Sequence, residues 1–171
     1  MFIYGYQDRF RALPGDDPQV VARIAGTLAT VFTTTSGVNA SGTIDGVWNS
    51  NTPDEESILF WQHVRLAGLA PGPTVAPANA AEIAAFVPTN AVGGRIGISS
   101  RTPVTGMTGS YFVCSNSIDG RFAAQLDTTL DDGNTTTGSV RAILNQLGPT
   151  LAAVGPVAVT TGITYTVCLS F

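Results

Sequence analysis

A chain of 171 residues is long enough for one domain with a sizeable core, and 44% hydrophobic residues against 12% charged ones place it among globular rather than disordered chains. The eight basic residues are all Arg, scattered along a chain of net charge −4, which argues against the clustered positive footprint of a nucleic-acid binder. No run approaches the roughly 20 continuous apolar residues of a membrane span.

Residues 2–13 read as a helix ended by Pro14-Gly15, because proline cannot continue the hydrogen-bond ladder. In the next stretch Asp17 suits a helix cap and Pro18 the first helical position, with Val20, Val21, Ile24 and Leu28 at helical spacing. "GDD" at residues 15–17 reads as a turn and cap. Residues 33–51 are rich in Gly, Ser, Thr and Asn and read as a surface loop, within which Val47-Trp48 calls for burial.

The stretch "TPDEESILFWQHVRLAGL" reads as a helix. Thr52 and Glu55 stand at capping-box spacing, Ile58, Trp61, Leu66 and Leu69 supply apolar bulk, and Gly68 with Pro71 stops it. The proline-rich segment that follows is expected to be irregular, with a short helical turn near Glu82.

Two strands, "RIGISSR" and "GSYFVCSN", flank a Pro/Gly connection suited to a meander. "SIDGRFAAQLDTTLDDG" reads as a helix with Phe122, Leu126 and Leu130 on one face, Asp119 as cap and Gly133 as terminator. "SVRAILNQLG" is ambiguous between helix and strand, whereas residues 163–171 form a strand of β-branched and aromatic residues. The expected fold class is α+β, helix-rich first and sheet later, in a single domain spanning residues 1–171.

Candidate chemistry is sparse. His63 is the single histidine and lies inside a helical stretch, so packing is its ordinary role. No G-x-S-x-G elbow is present, and "GGRIGIS" lacks the Lys-Ser/Thr of a phosphate loop. No nucleophile, base and orienting group converge, and no enzyme is expected. Asp127, Asp131 and Asp132, with the Asn134 amide, gather near a helix C-terminus, where negative charge opposes the macrodipole. Two explanations are open: a hard cation such as calcium, held by these four residues, or ion pairs with Arg121 or Arg141. Cys114 and Cys168 lie in strand-like contexts without a CxxC or a nearby His, which leaves either buried thiols or a disulfide. The disulfide, the preferred reading, would contribute on the order of 4 kcal/mol by loop-closure entropy and implies a compartment outside the reducing cytosol. Asn39-Ala40-Ser41 and Asn134-Thr135-Thr136 match the glycosylation triplet, a pattern common by chance in so Thr-rich a chain.

The opening "YGYQDRFRALPGDDP" resembles the segment where the long N-terminal helix of a type IV pilin or pilin-like protein enters the globular head. "FWQHVRLAGLAPG", "YFVCSNSIDGRFAAQLDTTLDDGNTTTGSVRA" and the closing "YTVCLSF" resemble one branch of that group. The resemblance implies a pilin-like fold, an N-terminal helix packed on an antiparallel sheet. Residues 1–13 would be the remnant of the long helix, and residues 114–168 a region bounded by a Cys114–Cys168 bond. It further implies a structural subunit of a type IV pilus or related filament, with a pseudopilin of a type II secretion system as one alternative. A minor subunit binding DNA or a surface ligand is the other. The expected partners are copies of itself and other pilin subunits, the bacterial inner membrane through an apolar helix ahead of residue 1, and a prepilin peptidase. The expected location is the inner membrane and periplasm, then an extracellular pilus or periplasmic pseudopilus.

Overall fold

The computed structural model describes residues 2–24, 29–31 and 40–171; Leu28, Asn39 and much of the expected loop after residue 32 lie outside the described residues. The chain divides into two compact units, residues 1–46 with 50–88, and residues 47–49 with 89–171.

The first unit is helical: α1 (Phe2–Phe10), α2 (Val20–Arg23), α3 (Glu56–Leu66) and α4 (Ala80–Phe86). Helix α3 is its centre, buried at every residue from Glu56 to Arg65. Such a helix must satisfy its polar side chains internally. Gln62 accepts from the Thr30 amide at 2.8 Å and donates to the Thr74 carbonyl at 2.9 Å. Arg65 donates to the carbonyls of Pro71, Pro73 and Phe86 and lies 4.8 Å from the Phe86 ring centroid, so it holds the proline-rich segment in place. Tyr6, Val20, Ile24, Ala29 and Ala67 form a second apolar cluster beside it. The short helix α4 is capped by Asn79, whose side chain accepts from the Ala81 amide.

Two expectations about helix starts are corrected. The Thr52–Glu55 capping box does not form: Glu55 is the N-cap, without a side-chain cap bond, and the helix begins at Glu56. Thr52 closes a turn instead, its carbonyl accepting from the Glu55 amide, while the Asp45 carbonyl takes up the free Ser57 amide. A contact distant in sequence has displaced the local cap. Likewise α2 starts after Gln19 and not at Pro18, although the Asp17 carboxylate does accept from the Gln19 amide, as well as from Tyr6 and Arg23.

The second unit carries a four-stranded sheet: β1 (Ile96–Ser99), β2 (Phe112–Asp119), β3 (Val140–Leu144) and β4 (Thr164–Ser170), with α5 (Gly120–Leu130) between β2 and β3. The order is β1-β2-β4-β3 and each neighbouring pair is antiparallel. The ambiguous "SVRAILNQLG" is resolved as strand, since its β-branched Val140 and Ile143 are buried where β3 pairs with β4. The outer edge of β3 is covered in part: Ala142 donates to the Thr135 carbonyl and accepts from the Val157 amide. Trp48 is buried with Val104, Met107, Phe112, Ile143 and both cysteines, as its size demands.

Candidate functional site

The segment that opened as a simple turn, Pro14 to Asp17, is the tightest polar assembly of the helical unit. Gly15 has φ 93°, and a Cβ there would fall 2.6 Å from the Glu56 carbonyl oxygen, so only glycine passes this close to α3. Its amide donates to His63 Nδ1 at 2.9 Å. The other imidazole nitrogen, Nε2, lies 2.9 Å from the Thr30 carbonyl, and it must therefore carry the proton. His63 is fully buried and neutral, its pKa pushed below 6.5 by desolvation. Both of its nitrogens are spent on backbone groups, which makes it a structural staple. Asp17 is equally buried and accepts from Tyr6 Oη at 2.9 Å and from Arg23 at 2.6 Å, tying α1 to α2.

Asp16 accepts from the Ser41 and Gly42 amides. Glu56 accepts from the Asp45 amide at 2.8 Å, and its Oε1 is buried with no donor facing it. The Asp16 carboxylate is the nearby charge that opposes its ionisation. Burial, then the charges of Asp16 and Asp45, push the Glu56 pKa from 4.5 up to about 7. Asp16 is raised as well, mainly by burial. A carboxyl raised in the folded state stabilises it fully below the unfolded pKa and loses that contribution as pH rises through the folded value. Stability is therefore expected to fall between pH 4.5 and about 7 through this pair. Glu56→Gln, which can donate to Asp16 while still accepting from Asp45, is expected to remove that fall. After solvent screening, the gain at pH 8 is about 1–2 kcal/mol. Urea titrations at pH 5 and pH 8 check this; a variant weakened equally at both would refute a Glu56 carboxyl raised by burial.

The second unit holds the candidate metal ligands. Asp119 caps α5, accepting from the Arg121 amide, and Gly133 follows the helix end with φ 81°. The stripe Phe122, Leu126 and Leu130 identifies the helix but faces outward; the buried face is Gly120, Ala123 and Asp127. Beside Ile118, Asn90 and Val92 the exposed stripe lines a groove of about 520 Å³. Asp127 is wholly buried, and among the described residues neither of its carboxylate oxygens has a hydrogen-bond partner. Desolvation first, then the charges of Asp132 and Asp131, push its pKa up.

Asp131, the C-cap of α5, accepts from the Val140 amide at 2.9 Å and from Ser139 Oγ at 3.2 Å. Gly138 has φ 68°, and a Cβ there would collide with Asp131 Oδ2, so the loop closes onto this carboxylate only with glycine. Asp132 is exposed and accepts from the Asn134 amide and Thr137 Oγ1. One oxygen from each of Asp127, Asp131 and Asp132 can be chosen so that all three lie within 4.8 Å of one another. The Asn134 amide oxygen accepts instead from the Thr136 amide and hydroxyl, in a turn.

Neither expected arginine pairs with these acids. Arg121 lies 3.7 Å from Asp119, and Arg141 donates to the carbonyls of Gly138 and Thr105, reaching Asp132 only as a longer-range charge. Cys114 and Cys168 stand directly opposite each other on β2 and β4 and form a disulfide in the buried cluster around Trp48. The roles of His63 and of the Asp16–Glu56 pair were beyond sequence reading, because their partners lie 33 to 48 residues away; the run of two acids after Gly15 was the available signal.

Compared with protein-family models, curated proteins and solved structures, the chain has no significant match.

Proposed function

We propose that the chain is the globular head of a filament subunit of the type IV pilin kind, which assembles with copies of itself and related subunits through an apolar helix preceding residue 1. The observation that carries this reading is the buried Cys114–Cys168 bond, which ties β4 to β2 in a four-stranded antiparallel sheet. Such a bond belongs to proteins exported from the reducing cytosol. The α+β content, the helix α1 at the opening motif, and a surface with little charge and no lysine support a subunit that packs closely against its neighbours. Among the described residues no helix is long and apolar enough to cross a membrane; in this reading the anchor is the apolar helix proposed ahead of residue 1.

The test is the N-terminal sequence and intact mass of the native protein from its own cells. A segment of about 20 apolar residues ahead of residue 1, beginning at an N-methylated residue, is expected. A native polypeptide that starts at Met1 removes the filament reading. Electron microscopy of surface and periplasmic fractions then separates a long extracellular pilus from a short secretion pseudopilus.

A further inference from the structure

We infer that the C-terminal end of α5 is a calcium site, with Asp127, Asp131 and Asp132 as the protein ligands. Asp127 is the deciding residue. Its carboxylate is completely buried, its two oxygens lack a donor among the described residues, and one of them lies within 4.8 Å of an oxygen from each of two further acids. A buried carboxylate without a partner is among the costliest arrangements in a folded protein. An arginine does not resolve it, since Arg121 and Arg141 are engaged elsewhere.

The helix adds to the imbalance. Three carboxylates stand where the macrodipole already places about half a negative charge. A divalent cation reverses the sign of every one of these interactions at once. The ligand chemistry is all oxygen, which selects a hard cation over zinc or copper. Opposite oxygens around calcium at 2.3–2.6 Å are about 4.6–5.2 Å apart, which accommodates the span of the cluster. Magnesium demands a tighter, near-octahedral shell at about 2.0–2.1 Å and sheds its waters reluctantly. The hydrogen bonds that Asp131 and Asp132 accept from residues 134–140 orient these carboxylates, and each oxygen keeps a lone pair for the metal. The assignment concerns side chains of one subunit and holds whether or not the chain forms filaments.

Isothermal titration of chelator-stripped protein with calcium chloride tests it, with magnesium chloride in parallel. One calcium per chain is expected, with a rise in melting temperature and at least tenfold weaker binding of magnesium. Asp127→Asn and the exposed Asp132→Asn are each expected to weaken calcium binding at least tenfold, with unchanged circular dichroism. Asp132→Asn keeps the test decisive if the buried substitution unfolds the chain. Absence of heat and of any thermal shift up to about 10 mM calcium, tenfold above the weakest extracellular modules, overturns the site. So does equal binding of magnesium, or calcium binding left unchanged by Asp132→Asn.

Discussion

Replacing both Cys114 and Cys168 by Ala is expected to lower the unfolding free energy by about 4 kcal/mol, from the entropy of a closed loop alone. The two residues are 54 apart in sequence, and the bond restricts the unfolded chain over nearly a third of its length. Loss of two buried sulfur atoms from the cluster around Trp48 adds a packing penalty of the same sign. For a chain of this size the melting temperature should drop by about 8–16 °C. Scanning calorimetry of the double variant reads this directly, and is preferable to reductant because both sulfurs are buried. A drop of only a degree or two would mean that the β2–β4 ladder already holds the unfolded chain's ends together, and would weaken the inference that the protein depends on an oxidising compartment.

His63→Ala is expected to cost about 3–5 kcal/mol, the sum of a cavity and of two backbone groups left without partners. These are the Gly15 amide and the Thr30 carbonyl. The variant should also change the pH profile. A histidine whose folded pKa lies below 6.5 leaves the unfolded state binding more protons, so it favours folding above that value and weakens it as pH falls. Glu56 acts in the opposite direction over an overlapping window. The optimum of the helical unit is therefore set by two buried groups in opposition: removing His63 shifts it to lower pH, and Glu56→Gln shifts it to higher pH. Guanidinium titrations from pH 4.5 to 8 check both, and a parallel loss for His63→Ala at every pH would show that burial does not shift the imidazole, whereas a loss greatest at low pH would show that it is charged in the fold.

Local chemistry was well legible in this chain. Asp119 as cap, the burial of Trp48 and the closing strand, expected over 163–171 and found over 164–170, all rest on short-range rules; Gly133, expected as terminator, has a positive φ but lies beyond the Asp131 cap. What could not be read depends on residues far apart. The capping box at Thr52 obeyed its local rule and lost to Asp45, whose carbonyl arrives from a neighbouring loop. The apolar stripe of α5 had the right spacing for a helix, but spacing does not say which face is buried, and the buried face carries Asp127. The candidate metal ligands were visible as a local cluster. Which of them is deprived of a partner was not, because that depends on where Arg121 and Arg141 point. Asn134, equally plausible by sequence, has its amide oxygen committed to a turn with Thr136.

The position of β4 bears on when the chain can fold at all. It follows the other three strands in sequence yet lies between β2 and β3, so the ladder hydrogen bonds of β3 and half of those of β2 wait for residues 164–170. A nascent polypeptide lacking that segment has no sheet centre, no partner for Cys114 and two strands with open edges. During vectorial synthesis the sheet of this unit therefore cannot close until residues 164–170 have been delivered. Closure of the sheet and pairing of Cys114 with Cys168 therefore come together as a single late event.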